Sequence, residues 1–153
     1  MKKLFSMPKS KVLFIGLGRM GFHMSSHLSK NKKIDLYIYN RTEYVEKKWL
    51  KLFSGIKYHF DCDIKFDFII TCLKDDEAID LVTKKILKIS CFKKTTVFID
   101  HSTISLDQVK KNDYLAIINK FHFLDAPVTG GVEGAKNKSL SSMVGGSLIQ
   151  FKK

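Results

Sequence analysis

The sequence predicts an α/β fold doubly wound around a mainly parallel sheet. Three observations predict it: apolar strand-like runs recur along the chain, stretches with helical spacing separate them, and a glycine-rich turn follows the first run. Parallel strands need crossovers of a dozen or so residues, and the intervening helical stretches supply them.

Val12-Leu13-Phe14-Ile15 is a continuous apolar run of the kind buried on both faces of a parallel sheet. Met20, Met24, His27 and Leu28 follow at helical spacing. Ile34 to Tyr39 reads as a second strand, and Asn40-Arg41-Thr42 offers turn and N-cap chemistry before a helix over Glu43 to Phe53. Phe66 to Cys72 is a third strong strand. Asp75-Asp76-Glu77 then places acidic side chains at the start of a helix running towards Ile89, where they favour its dipole. Thr96 to Asp100 is another strand, Ser105 caps another helix, and Phe121 to Asp125 completes the alternation. The reading is one domain over 11–153 with an N-terminal extension over 1–10, and without internal repeat or long linker.

A formal net charge of +12 over 153 residues attracts polyanions. Nearly all of it is scattered lysine, however; Arg19 and Arg41 are the only arginines, and arginine's planar fork is favoured for phosphate and base recognition. No specific nucleic-acid partner is expected. Likewise Lys57-Tyr58-His59-Phe60 is read as packing, not as a base-stacking platform. No apolar run approaches the roughly 20 residues that cross a bilayer, and no leader is recognisable at the N-terminus, so a cytoplasmic protein without membrane contact is expected. Cys62, Cys72 and Cys91 lack CxxC spacing and read as reduced thiols. His23 and His27 stand four apart without the carboxylate of a metal-binding helix, so no metal is expected. Asp100-His101-Ser102 lie in or beside a strand, where neighbours point to opposite faces, so they do not form a hydrolytic triad directly.

Gly16-Leu17-Gly18-Arg19-Met20-Gly21 matches G-x-G-x-x-G between a buried strand and a helix, the context that gives this pattern meaning. The first glycine permits the tight turn, the second lets backbone approach a pyrophosphate, and the third allows helix to pack on strand. A dinucleotide is therefore expected on Gly16, Leu17, Gly18, Arg19, Met20 and Gly21. An NAD site usually ends its second strand with Asp or Glu, which bonds the ribose 2′-hydroxyl. This chain has Asn40, followed by Arg41 and Thr42. Asn40 removes the repulsion of a 2′-phosphate and Arg41 offers it charge-assisted hydrogen bonds, favouring NADP(H) over NAD(H) by about 1–3 kcal/mol. A solvated surface charge is the competing reading of Arg41.

Three separated segments are similar to the β-hydroxyacid dehydrogenase family, of the 3-hydroxyisobutyrate dehydrogenase, tartronate semialdehyde reductase and glyoxylate reductase type. They are Phe14-Ile15-Gly16-Leu17-Gly18-Arg19-Met20-Gly21 with Met24; Phe98 to Ser105; and Phe123-Leu124-Asp125-Ala126-Pro127-Val128-Thr129-Gly130-Gly131 with Met143-Val144-Gly145-Gly146. The resemblance implies a Rossmann-type NADP-binding domain serving hydride transfer with a small β-hydroxy acid or semialdehyde. It implies that Leu73 lines the cofactor, that Thr103 lies near the nicotinamide, and that Thr129, Gly130 and Gly131 hold the substrate carboxylate. Taken without the resemblance, Thr129-Gly130-Gly131 is only a turn.

The chain departs from the family pattern at Thr129 for serine, Lys74 and Leu106 for prolines, and Lys138 for glycine. The family continues past its MVGG segment into an all-helical domain carrying a catalytic lysine and an asparagine, neither of which maps here. No catalytic residue is assigned, and the helical half is expected from a second chain or domain. The alternative is a catalytically inert NADP-binding remnant or module.

Overall fold

The computed structural model describes residues 8–61 and 63–152, so the thiol expectation for Cys62 and most of the 1–10 extension fall outside the described residues. Strand β1 (Ser10–Ile15) leads through the glycine turn into α1 (Gly21–Leu28), and β2 (Ile34–Tyr39) leads into α2 (Glu43–Leu52). A short β3 (Ile56–Lys57) precedes β4 (Phe66–Thr71) and α3 (Asp76–Ile89). Next come β5 (Phe92–Asp100), α4 (Leu106–Asn119) and β6 (His122–Asp125). The remaining elements are β7 (Val128–Thr129), α5 (Gly131–Asn137), β8 (Ser141–Ser142), β9 (Gly145–Gly146) and α6 (Leu148–Phe151).

The main sheet runs β3-β2-β1-β4-β5-β6-β9, parallel throughout except for β9, while β7 and β8 form a separate antiparallel pair. Strand order reverses at β1, whose neighbours β2 and β4 lie to either side of it. In such sheets a crevice opens outside the carboxyl ends of the strands at that switch point.

Alternate residues of β1 face opposite layers, and the core divides with them. Leu13 and Ile15 join Ile69, Ile79, Ile86, Phe98 and Phe123 on the side of α3 and α4; Val12 and Phe14 join Leu36, Ile38 and Trp49 on the side of α1 and α2. This two-sided burial is why the central strands read as unbroken apolar runs. Asp75 and Ser105 cap α3 and α4 by accepting the Ala78 and Gln108 amides at 2.9 and 3.2 Å. Tyr58 is buried and meets Phe60 and Phe66 edge-on, in keeping with a packing role for that segment.

Some boundaries differ from expectation. β5 begins at Phe92, not Thr96: Phe66 pairs with Phe92 and Phe68 with Val97, and the register shift between these pairs is taken up by extra residues on β5. Thr129-Gly130-Gly131 is more than a turn: Thr129 ends β7, and Gly131 opens α5 with Gly130 as its N-cap.

Candidate functional site

Gly16 leaves β1 with φ of +102°, a conformation that glycine adopts without steric cost. A Cβ there would overlap the Cys72 carbonyl and stand 2.8 Å from the Leu73 side chain, so its absence lets the turn touch the loop after β4. At Gly21 a Cβ would overlap the Gly16 carbonyl oxygen, which seats α1 directly on the turn. At Gly18 it would meet nothing within 4 Å. The outer glycines thus have packing reasons inside the chain, while the middle one leaves open space of the kind a pyrophosphate needs. Met20 precedes the first residue of α1, and Gly18 and Arg19 are exposed.

The end of β2 is tied to this turn. Asn40 Oδ1 accepts the Leu17 N–H at 2.9 Å, and its amide nitrogen donates to the Thr42 carbonyl at 3.2 Å. The Asn40 N–H itself donates to Glu46 Oε1 at 2.7 Å, and buried Glu46 also pairs with Lys57 at 3.3 Å. Asn40 is therefore a strut between two loops. Arg41 and Thr42 beside it are exposed, and among the described residues the Arg41 guanidinium makes no hydrogen bond or ion pair. Its charge is felt nearby: Lys74, 2.8 Å from Asp75, holds that carboxyl below its usual range, helped by the Ala78 N–H and to a smaller extent by Arg41.

The loops after β4 and β5 are joined as well. The Leu73 N–H donates to Ser102 Oγ at 2.8 Å. The Ser102 N–H and the Thr71 hydroxyl both donate to Asp100 Oδ1, at 3.0 and 2.7 Å. Thr103 follows, exposed. His101 instead places Nδ1 2.7 Å from the Ala126 carbonyl, so these three neighbours form no triad.

Gly16–Gly21, Asn40–Thr42, Leu73 and Thr103 thus all lie at the carboxyl ends of the parallel strands. Thr129, Gly130 and Gly131 come after β6 at that same end, where Thr129 pairs with Ser141. Gly130 and Gly131 have φ of +126° and +63°. His27 Nε2, 2.9 Å from the Ala135 carbonyl, links α1 to α5. A hollow of about 830 Å³ at the amino end of β2, walled by Leu28, Asp35, Phe53 and Ile56, shares no residue with this site.

Sequence reasoning missed Glu46, the Ser102 hydroxyl and the Thr71–Asp100 bond. Their partners lie six, 29 and 29 residues away, and no local motif joins them. Among the described residues no cluster of three His, Cys, Asp or Glu could hold a metal, Cys72 and Cys91 are free thiols, and no helix is long and apolar enough to cross a membrane.

A glycine turn at the switch point of a doubly wound parallel sheet, with adjacent loops bolted around it, defines a Rossmann-type nicotinamide-dinucleotide-binding domain. Residues 11–153 match the family described as the NAD binding domain of 6-phosphogluconate dehydrogenase, and the chain belongs to that family. An oxidoreductase from Shewanella frigidimarina is 36% identical over 146 residues, covering 93% of this chain and 50% of that protein. Mitochondrial 3-hydroxyisobutyrate dehydrogenase from Drosophila melanogaster is 32% identical over 141 residues, covering 90% of this chain and 42% of that protein. The structure of Mycobacterium tuberculosis 3-hydroxyisobutyrate dehydrogenase with L-serine superposes with a TM-score of 0.83 at 27% identity, over 94% of this chain and 49% of the other. The chain spans about half the length of the curated relatives it matches.

Proposed function

We propose that residues 11–153 form the NADP(H)-binding domain of a β-hydroxyacid dehydrogenase-like oxidoreductase, serving hydride transfer between NADP(H) and a small β-hydroxy acid or its semialdehyde. The observation that carries this reading is the end of β2, where Asn40 stands in place of a carboxylate and Arg41 is exposed beside it. A carboxylate would repel a 2′-phosphate, whereas Arg41 gives it charge-assisted hydrogen bonds.

In this reading Gly16, Leu17, Gly18, Arg19, Met20 and Gly21 receive the pyrophosphate, with amides of the first turn of α1 directed at it. Asn40, Arg41 and Thr42 surround the 2′-phosphate. Leu73 lines the cofactor and Thr103 lies towards the nicotinamide, which supplies or accepts the hydride when bound. Backbone N–H groups around Gly130 and Gly131, with the Thr129 hydroxyl, hold the substrate carboxylate. The names of the dehydrogenase relatives support this substrate class. Full turnover is assigned to this domain together with a helical domain, since no catalytic lysine maps onto the chain. Free Cys72 and Cys91 suit a reducing cytoplasm.

The test is a titration of the purified chain with NADPH and NADH, followed by nicotinamide fluorescence, with Arg41→Ala as control. NADPH should bind more tightly than NADH by about tenfold or more, and Arg41→Ala should erase the difference. Equal binding of the two nucleotides by the wild type defeats the NADP preference; binding of neither defeats the nucleotide site. Tight NADPH binding that never supports turnover, even with a helical domain added, favours an inert NADP-binding module instead.

A further inference from the structure

Asp100 is the last residue of β5, at the sheet end from which the glycine turn and the Leu73 loop also leave. It is 0% exposed. Its Oδ1 accepts from Thr71 and Ser102, but its Oδ2 has no hydrogen-bond partner. Among the described residues no lysine, arginine or histidine pairs with it. Its partner across the β5–β6 register is Asp125, a second carboxyl, which burial and then the Asp100 charge push above the usual range. On the β4 side, burial and then the Asp100 charge push the Cys72 thiol up to about 11.

A carboxylate withdrawn from water with one oxygen unmatched is a costly arrangement. An asparagine would make the same two acceptor bonds through its amide oxygen without burying charge. What aspartate adds at this position is the charge itself, at the carboxyl end of β5 and, among the described residues, with no counter-ion paired to it. Among the groups that the proposed function brings there, the oxidised nicotinamide ring is cationic, while the reduced ring is neutral and nearly the same shape. Contact shape barely separates the two forms, whereas a fixed charge in a poorly solvated site does.

We propose that Asp100 is a specificity determinant that favours the oxidised, cationic form of the bound nicotinamide nucleotide over the reduced, neutral form. This rests on the nucleotide site proposed above. Asp100 acts through space and also braces Ser102, and the two roles are separable: Asp100→Asn removes charge and keeps the acceptor, while Ser102→Ala frees the Leu73 loop and keeps the charge.

The experiment is calorimetric titration of wild type, Asp100→Asn and Ser102→Ala with NADP+, NADPH and 2′-phospho-ADP-ribose, which lacks the nicotinamide. In Asp100→Asn the affinity for NADP+ should fall about five- to tenfold relative to NADPH, with 2′-phospho-ADP-ribose unchanged. Ser102→Ala should weaken both redox forms by the same factor. Asp100→Ser, a second neutral variant, provides the same measurement should the asparagine form fail to fold. An unchanged NADP+ to NADPH ratio in a folded neutral variant overturns the inference and leaves the nucleotide site standing. A wild type that binds none of the three ligands overturns the site, and the inference with it.

Discussion

The turn between β1 and α1 and the segment from β7 to α6 are both glycine-rich, yet glycine does different work in each. At Gly16 and Gly21 the space of a Cβ is already taken by other backbone, the Cys72 and Gly16 carbonyls. At Gly131 a Cβ would meet nothing within 4 Å, and only the φ of +63° calls for glycine. The first region is bonded to the end of β2 through Asn40 and packs against the loop after β4, which Ser102 in turn holds by accepting the Leu73 N–H. The second is held by two-residue pairings, and Met143, Leu148, Ile149 and Phe151 in it are exposed, Ile149 at 82%. The crowding at Gly16 and Gly21 is against backbone, whereas at Gly130, Gly134 and Gly146 a Cβ would first meet the Leu140 or Leu124 side chain, so the two regions carry unequal structural weight.

The strongest way to break this comparison is Gly21→Ala. Its methyl has no room, so a loss of about 3 kcal/mol or more is expected in urea denaturation, together with loss of nucleotide binding. Asn40→Asp comes next. It keeps an oxygen for the Leu17 N–H but restores the carboxylate, so NADPH affinity should fall by about tenfold or more while NADH affinity holds or rises, read by fluorescence titration. Gly131→Ala meets only backbone strain and should cost about 1–2 kcal/mol with NADPH binding intact. Should it cost as much as Gly21→Ala, the contrast between the two regions is mistaken.

The smallest effect is electrostatic. Burial and Asp100 raise the Asp125 carboxyl in the folded state, so the fold binds that proton more tightly than the unfolded chain does. The favourable contribution is complete below the ordinary aspartate value and is lost as pH rises through the elevated one. Asp125→Asn should therefore raise Tm slightly at neutral pH, and the gain should fade towards acid. A gain that grows in acid has the wrong sign.

The alternation of elements was legible because strands buried on both faces are apolar throughout and because caps such as Asp75 and Ser105 act within three residues. β3 and the pairings of β7, β8 and β9 were not, since two residues carry no periodicity. Asn40 was recognisable as the residue closing the second strand, but its side-chain bonds to Leu17 and Thr42 were not. Asp100 could be seen in its strand, with nothing local to say that one of its oxygens is bonded and the other is not.

By itself, then, the sequence determined the fold class, the order of the main strands and helices through β6, the glycine turn and the nucleotide chemistry it suggests. Only the tertiary structure decided which buried polar atoms meet. Bonds such as Leu17 to Asn40 and Leu73 to Ser102 join residues 23 and 29 apart, and they depend on the register between neighbouring strands, which local periodicity does not encode.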